Sequence, residues 1–417
     1  MRKLFFVCSL LLTGLTSYAT GLDSVQYKIN GRIQTDGAVF MGEDFQPLGN
    51  GVGFRRVRLE ANGSINSRLS ARIELDFASG EFELQDCFIA YDFPRKLRLQ
   101  VGNMKESFSV ATLTSSMNLW FLEKAMVVSA LSPEVQSGIQ ASWNGKNLLA
   151  MGGVHFRTIA GKSEKESNDE KNKMGEDDGI SYTARGVWMP LSANRDYGLH
   201  LGAAASYRTP KTSDGGDMPN SVRYRVTSVS TINKIKFIDS GVIEHVHHNW
   251  LFGAELLAFY DSFRFQGEYM MNQVHRTGDL STERFNGYYA QAGYLFFNGR
   301  QTYNRSRGVF SNPSGLQKWG GLEVVARWER MDMNSHDVKG GLANALTLGL
   351  NYYMNRYFKA QLNYSHIDHD EYANANGEAA VGRGQDGQLV YNPAGIDKSQ
   401  GSGNAYGVLS LRLQLQF

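Results

Sequence analysis

From Ala405 to Phe417 the chain alternates apolar and polar residues with a period of two. Drawn as a β-strand, this puts Leu409, Leu411, Leu413, Leu415 and Phe417 on one face and Ser410, Arg412, Gln414 and Gln416 on the other. One face is suited to a nonpolar phase and the other to water. A soluble sandwich strand can alternate in the same way. The aromatic residue at the last position adds a further constraint, because outer-membrane barrels close on such a residue, with lipid against the leucine row and a wet lumen against the polar one.

The N-terminus fits that compartment. Arg2 and Lys3 precede an apolar stretch from Leu4 to Leu15, and Ser17-Tyr18-Ala19 offers small residues for cleavage. Residues 1–19 therefore read as a secretory signal peptide, followed by a single barrel domain over residues 20–417. The apolar stretch is too short to span a bilayer as a helix. Without the signal, the 43 basic residues fall to the same number as the 41 acidic ones. Bulk charge thus points to no nucleic-acid partner, and any charge selectivity has to be local. Cys87 is then the single cysteine, which leaves no intramolecular disulfide. No other segment has the roughly twenty apolar residues of a membrane helix, whereas barrel strands need only one apolar face. The 20 Tyr, 23 Phe, 6 Trp and 45 Gly, with only 8 Pro, suit many long strands with aromatic girdles.

Alternating segments recur along the chain and predict an all-β fold, a transmembrane antiparallel β-barrel. They run over 25–40, 54–65, 69–77, 84–93, 97–103, 135–143, 147–156, 180–189 and 197–207. They continue over 251–260, 263–271, 285–297, 319–331, 342–354, 357–367 and 405–417. This counts 16 strands if Thr209 to Asn249 is one long loop, and 18 if Ser221 to Ser240 adds a hairpin; an even number keeps both ends of the barrel on one side. The shorter connections carry Asn, Asp, Ser, Gly and Pro, including Asn144-Gly145, and read as periplasmic turns. The long polar segments, 162–179 and 368–403, read as extracellular loops. The charge run Lys162 to Lys171 reads as a solvated loop tip. His245, His247 and His248 lack a second group of ligands, so no metal site is expected there.

Parity sorts the charges of the first strands. If the apolar parity faces lipid, then Lys28, Arg32, Arg56, Arg58, Arg72 and Arg98 face the lumen, since Arg or Lys at mid-bilayer on the lipid face costs about 2–4 kcal/mol. Such a wall attracts anions with guanidinium donors. The alternative is that these cations pair with Glu60, Glu74, Asp76 and Asp86 and merely keep the lumen polar. The connection from Met104 to Pro133 is long yet apolar, with Phe108, Val110, Leu113, Trp120, Phe121, Leu122 and Val127. Exposed, it would form a hydrophobic patch. Folded inward, it becomes a constriction loop in which Lys105, Ser115, Ser116 and Lys124 supply donors at the narrowest point.

Several of these segments also resemble the phosphate-selective porin O and P family. They are Gly53-Phe54-Arg55-Arg56-Val57-Arg58-Leu59-Glu60, Ile73-Glu74-Leu75-Asp76-Phe77-Ala78, Leu84-Gln85-Asp86-Cys87-Phe88-Ile89, and the stretches Val101 to Phe108 and Leu113 to Ala125. The resemblance implies a homotrimeric 16-stranded outer-membrane channel with an inward third loop and a ladder of Arg and Lys leading to a phosphate-binding zone. It places the family's paired arginines on Arg55 and Arg56, its tempering acid on Asp86 and its loop serines on Ser115 and Ser116. Two departures count against strict phosphate selectivity. Lys124 stands where the family often has Arg and lacks the bidentate fork, and Ser109 to Met117 contains no cation.

The expected activity is passive diffusion of small solutes, with inorganic anions such as phosphate preferred. The expected surroundings are outer-membrane lipid and lipopolysaccharide, and neither cofactor, metal nor catalytic residue is implied. Two other classes stay open, a non-conducting adhesive or structural barrel and a barrel hydrolase. For the hydrolase, none of His155, His200, His275, His336, His366 and His369 sits in a recognisable Ser or Asp motif.

Overall fold

Each alternating segment pairs with the next, and the computed structural model shows the result over residues 26–80, 82–157, 177–191, 196–212 and 218–417. The signal peptide expected at 1–19 and the charge run at 162–171 lie outside the described residues. Among the described residues, 16 strands close into one antiparallel barrel. They are β1 (Gln26–Met41), β2 (Gly51–Ser64), β3 (Leu69–Asp76), β4 (Glu83–Phe93), β5 (Leu97–Lys105), β6 (Val135–Asn144), β7 (Leu148–Phe156) and β8 (Ser181–Trp188). The second half comprises β9 (Tyr197–Arg208), β10 (Val246–Tyr260), β11 (Phe263–Arg276), β12 (Glu283–Leu295), β13 (Gly321–Asn334), β14 (Lys339–Tyr353), β15 (Phe358–His369) and β16 (Asn404–Gln416). The alternative with two more wall strands fails at Arg225–Val226 and Ile238–Asp239, which pair with each other inside the loop between β9 and β10 and not with the wall.

Closure follows the pattern of the last strand. β16 pairs with β1 from Arg32↔Gln416 to Met41↔Gly407. Phe417 exchanges two backbone hydrogen bonds with Gly31, at 2.9 and 3.0 Å. Leu409, Leu411, Leu413 and Leu415 stay 40–46% exposed on the outer surface, while Ser410, Arg412 and Gln414 are buried within. The outward side chains form the lipid-facing band, because an apolar exposed face and a closed backbone ladder are what a bilayer accepts.

The lumen is not evenly open. The loop over 106–134 folds inward as expected, with two short helices, α1 (Val110–Leu113) and α2 (Met126–Leu131). It lies against the wall formed by β10 to β15. Phe108, Met126, Val127, Val128 and Leu131 pack with Leu251, Met270, Val274, Phe285 and Met331. Two lumen-facing glycines allow the approach: a Cβ on Gly253 would sit 3.1 Å from Phe108, and one on Gly287 would sit 2.9 Å from Val127. The loop's backbone polar groups find partners on the wall, as buried groups must. The Glu268 carboxylate accepts from the N–H groups of Val110 and Ala111 (both 3.1 Å), and Glu329 accepts from Met126 (2.5 Å). Lys359 donates to the carbonyls of Met117 and Leu119 (both 3.0 Å), and Asn351 donates to that of Trp120 (3.0 Å).

The connection between β12 and β13, which the strand pattern leaves unassigned, has a structure of its own. Residues 296–320, between β12 and β13, form a hairpin of Arg300–Asn304 and Val309–Ser314 that folds up into the barrel from the turn side. Val309 and Phe310 are buried with Val110, Trp120, Phe121, Leu257 and Val325. Phe310 meets Trp120 edge-on at 5.5 Å, and Arg264 lies 3.9 Å over the Trp120 ring while donating to Glu323 (2.7 Å). The Tyr303 hydroxyl meets His200 Nδ1 at 2.6 Å. The constriction loop is thus gripped between the wall and this hairpin. From the opposite end, the segment 218–245 adds Val226, Phe237 and Ile238 to the packed half, and the Ser228 hydroxyl meets His369 at 2.7 Å.

Candidate functional site

Apart from a cavity of about 630 Å³ between β9, β10 and the hairpin, the open space runs along the inner face of β1 to β5. An outer cavity of about 820 Å³ and an inner one of about 450 Å³ share Arg56, Arg58, Gln85, Lys124 and Glu134 among their lining residues. Those five side chains form the neck between the two chambers.

Two irregularities in the wall build it. Adjacent residues of a regular strand point to opposite faces, so Arg55 and Arg56 should be split between lipid and lumen. In the β1–β2 register Gln34 pairs with Arg56 but Thr35 pairs with Phe54, which makes Arg55 the extra residue of a bulge. A bulge lets neighbouring side chains share a face. Phe54 stays outside, 65% exposed, while Arg55 and Arg56 both reach the lumen-side Glu123. A second shift in β3–β4, where Ile73 pairs with Cys87 and Leu75 with Leu84, turns Gln85 and Asp86 inward together.

The cations of the wall are largely matched by acids. Arg32 pairs with Glu74; Arg58 holds Glu74 at 2.8 Å and Asp76 at 2.6 Å. Arg72 bridges Glu60 (2.8 Å) and Asp86 (3.1 Å). Arg55 grips Glu123 with a two-bond fork at 2.7 and 3.0 Å, and Arg56 lies 3.8 Å from the same carboxylate while donating to Gln34 (2.9 Å). Arg412, wholly buried, forks onto Asp36 at 2.6 Å twice and reaches Glu123 at 3.0 Å. The acid between the paired arginines is therefore Glu123 of the loop, while Asp86 serves Arg72. Burial would push the Glu123 carboxyl up; Arg55, Arg56 and Arg412 outweigh that and hold it well below the usual carboxylate range.

The remaining expected residues fall as follows. Lys105 lines the inner chamber but spends its ammonium on the carbonyls of Thr112 (2.7 Å) and Thr114 (3.0 Å). Ser115 receives a 3.4 Å hydrogen bond from Arg32, and the Ser116 hydroxyl is buried without a partner among the described residues. Lys124 pairs with Glu134. Arg98 stands apart, paired with Asp92 (2.6 Å) near the turn at 94–96, and lines neither chamber. The sequence reading missed Arg225, Lys234 and Lys236 on the outer chamber and Arg307, at the hairpin tip, on the inner one. The spaced cations from Arg223 to Lys236 were the available signal. Arg307 gave none, since nothing local marks a turn that re-enters the barrel. Among the described residues His245, His247 and His248 do not form a cluster able to hold a metal ion.

Known proteins agree with this architecture. The model of the phosphate-selective porin O and P family matches residues 27–392. An uncharacterized protein of Caulobacter vibrioides is 29% identical over 364 residues, covering 82% of this chain and 69% of its own. Porin O of Pseudomonas aeruginosa is 23% identical over 406 residues, covering 86% of this chain and 87% of its own. Among solved structures, an anion-selective porin from Comamonas acidovorans superposes with a TM-score of 0.54 at 14% identity, over 94% of this chain and all of the other (100%). A trimer form of OmpT, an outer-membrane protein of Vibrio cholerae, superposes with a TM-score of 0.53 at 11% identity, over 95% and 100% of the two chains. A closed barrel with a lipid-facing band, an inward loop and a charged neck, matched over most of its length by one family, is an outer-membrane porin, and the chain belongs to the phosphate-selective porin O and P family.

Proposed function

We propose that this porin conducts small anions by passive diffusion, with inorganic phosphate as the leading candidate solute. The observation that carries the reading is the composition of the neck: the charged side chains common to both chambers are three cations, Arg56, Arg58 and Lys124, and one acid, Glu134. Cations without a carboxylate within 4 Å among the described residues continue the path on both sides, Arg225, Lys234 and Lys236 outside and Lys28 and Arg307 inside. An anion entering this path exchanges part of its water shell for guanidinium and ammonium donors, which recruits it without trapping it when the sites are several and weak. The anion-selective title of the Comamonas acidovorans porin and the family's description favour the same reading. The trimer form of the Vibrio cholerae protein favours a homotrimer, and residues 1–19 are read as the export signal.

Conductance and reversal potential of the purified protein in planar bilayers, in chloride and in phosphate, test the proposal. Replacing Arg55 and Arg56 by Ala should move the reversal potential toward cations; an unchanged value would refute it. A steady open current also separates a channel from a closed adhesive barrel, which gives none.

A further inference from the structure

The acids that line the two chambers differ in how they meet water, with Glu83 part exposed at the outer one. The side chains of Asp36, Glu74, Asp76, Asp86, Glu123 and Glu60 are 5–13% exposed. All but Asp86, which among the described residues accepts from Arg72 alone (3.1 Å), are also engaged more than once. Asp76 accepts from Arg58 and from the backbone N–H groups of Val57 and Ala78 (both 3.1 Å), and Glu60 accepts from Arg72, Asn30 and Asn62. Glu134 is of another kind. Its side chain is 62% exposed, it faces both chambers, and its one side-chain partner among the described residues is Lys124.

The chain fixes this arrangement. Glu134 stands at the foot of the inward loop, where its carbonyl accepts from Glu106 N–H (2.9 Å) before β6 begins. Next to it in space, Glu123 and Lys124 point in opposite senses, Glu123 into the wall arginines and Lys124 into the neck. Lys124 presents a compact ammonium whose three donors turn freely, unlike the fixed fork of Arg. The Lys124 ammonium also holds the Glu134 carboxyl down at about 2, so the carboxylate is charged wherever the porin works.

We propose that Glu134 is a resident competitor for the permeant anion at Lys124, so that each passing anion exchanges with the carboxylate for one ammonium. The proposal rests on the anion-channel reading above and says how that channel releases what it attracts. A neck with three cations and no exposed acid would hold a phosphate too long for rapid flux. An exposed carboxylate retakes Lys124 as the anion moves on. Glu83, part exposed on the outer chamber, does not reach the neck, and the other lining acids are at most 13% exposed and held by the wall cations.

Phosphate block of the chloride current through single channels measures the effect. Glu134→Gln should lower the half-blocking phosphate concentration about three- to five-fold, the range of one partly exposed ion pair, and move the reversal potential further toward anions. With Lys124→Gln already present, adding Glu134→Gln should change the half-blocking concentration by nothing. Equal block in wild type and Glu134→Gln would overturn the proposal. So would the same three- to five-fold effect in the Lys124→Gln background, since the carboxylate would then act as a general charge. Should Glu134→Gln fail to assemble, Glu134→Asp draws the carboxylate back by one methylene and predicts a smaller shift of the same sign; no shift there overturns the idea equally. A wild-type pore with no anion preference would instead sink the channel reading itself.

Discussion

Single-residue deletions in β2 give a direct test of the bulge that builds the neck. Removing Arg55 takes out the extra residue, so Phe54 still meets lipid and Arg56, Arg58 and Glu60 still meet the lumen. The loss is confined to one fork onto Glu123, which keeps Arg412 at 3.0 Å and Arg56 at 3.8 Å. That costs about 1–3 kcal/mol. Removing Leu59 instead leaves the lower half of β2 in place and shifts the upper half by one position. The bulge can be absorbed to keep Phe54 outside, but Arg56 and Arg58 then both face lipid. At about 2–4 kcal/mol for each arginine near mid-bilayer, the pair costs about 4–8 kcal/mol, comparable to the whole stability of many domains. Heat-modifiable migration on electrophoresis and urea unfolding in lipid vesicles should show a closed barrel for the Arg55 deletion and none, or a strongly destabilised one, for the Leu59 deletion. A Leu59 deletion as stable as wild type, or an Arg55 deletion that does not assemble, would refute the register and with it the lumen position of the arginine pair.

Two further outcomes follow from the loop and its acid. Phe310→Ala should destabilise the barrel by about 3–5 kcal/mol in unfolding experiments and raise single-channel conductance, because it removes the hairpin side chain that backs Trp120. Glu123 is held below its ordinary value of about 4.3, so its contribution to stability is fully present above that pH and is lost as pH falls through its lower folded value. The stability difference between wild type and Glu123→Gln should therefore be flat from pH 8 to about pH 5 and shrink only in stronger acid; a difference that already falls between pH 7 and pH 5 would count against the three-arginine environment.

Much of this fold is legible in the sequence, and the reasons are local. A period of two with one lipid face needs only the side chains of one strand to be read, which is why each of the 16 expected segments coincides with a wall strand to within a few residues. The inward loop was legible because Trp120, Phe121 and their neighbours have nowhere else to go. The periplasmic hairpin was not. Its segment from Gly299 to Gly315 is mixed in character, and its inward course depends on Phe310 meeting Trp120, a contact between residues far apart in the chain. The partner of the arginine pair was hidden for a similar reason. Asp86 and Glu123 are equally plausible acids by composition, and only the folded loop brings Glu123 to 2.7 Å from Arg55.

The same residue types do opposite work on the two sides of the lumen. On β8 to β13, Arg185 with Glu255, Arg264 with Glu323 and Arg327 with Glu329 are at most 4% exposed. Burying such pairs brings little net stability, and breaking one leaves a costly lone charge, so they act chiefly to fix where the loop and hairpin sit. On β2, β3 and β5, Arg55, Arg58, Arg72 and Arg98 keep 16–33% of their side chains in contact with water. Apart from Arg55, which reaches the lumen through the bulge, parity assigns both groups to the lumen and cannot separate them. A count of lumen cations therefore overstates what a permeating anion meets. The packed half of the barrel sets the width of the path, and the charges that line the neck, the buried Arg56 with the wetter Arg58, Lys124 and Glu134, set its selectivity. Exchanging charges on the packed half should alter assembly and leave selectivity nearly unchanged, whereas exchanges at the neck should do the reverse.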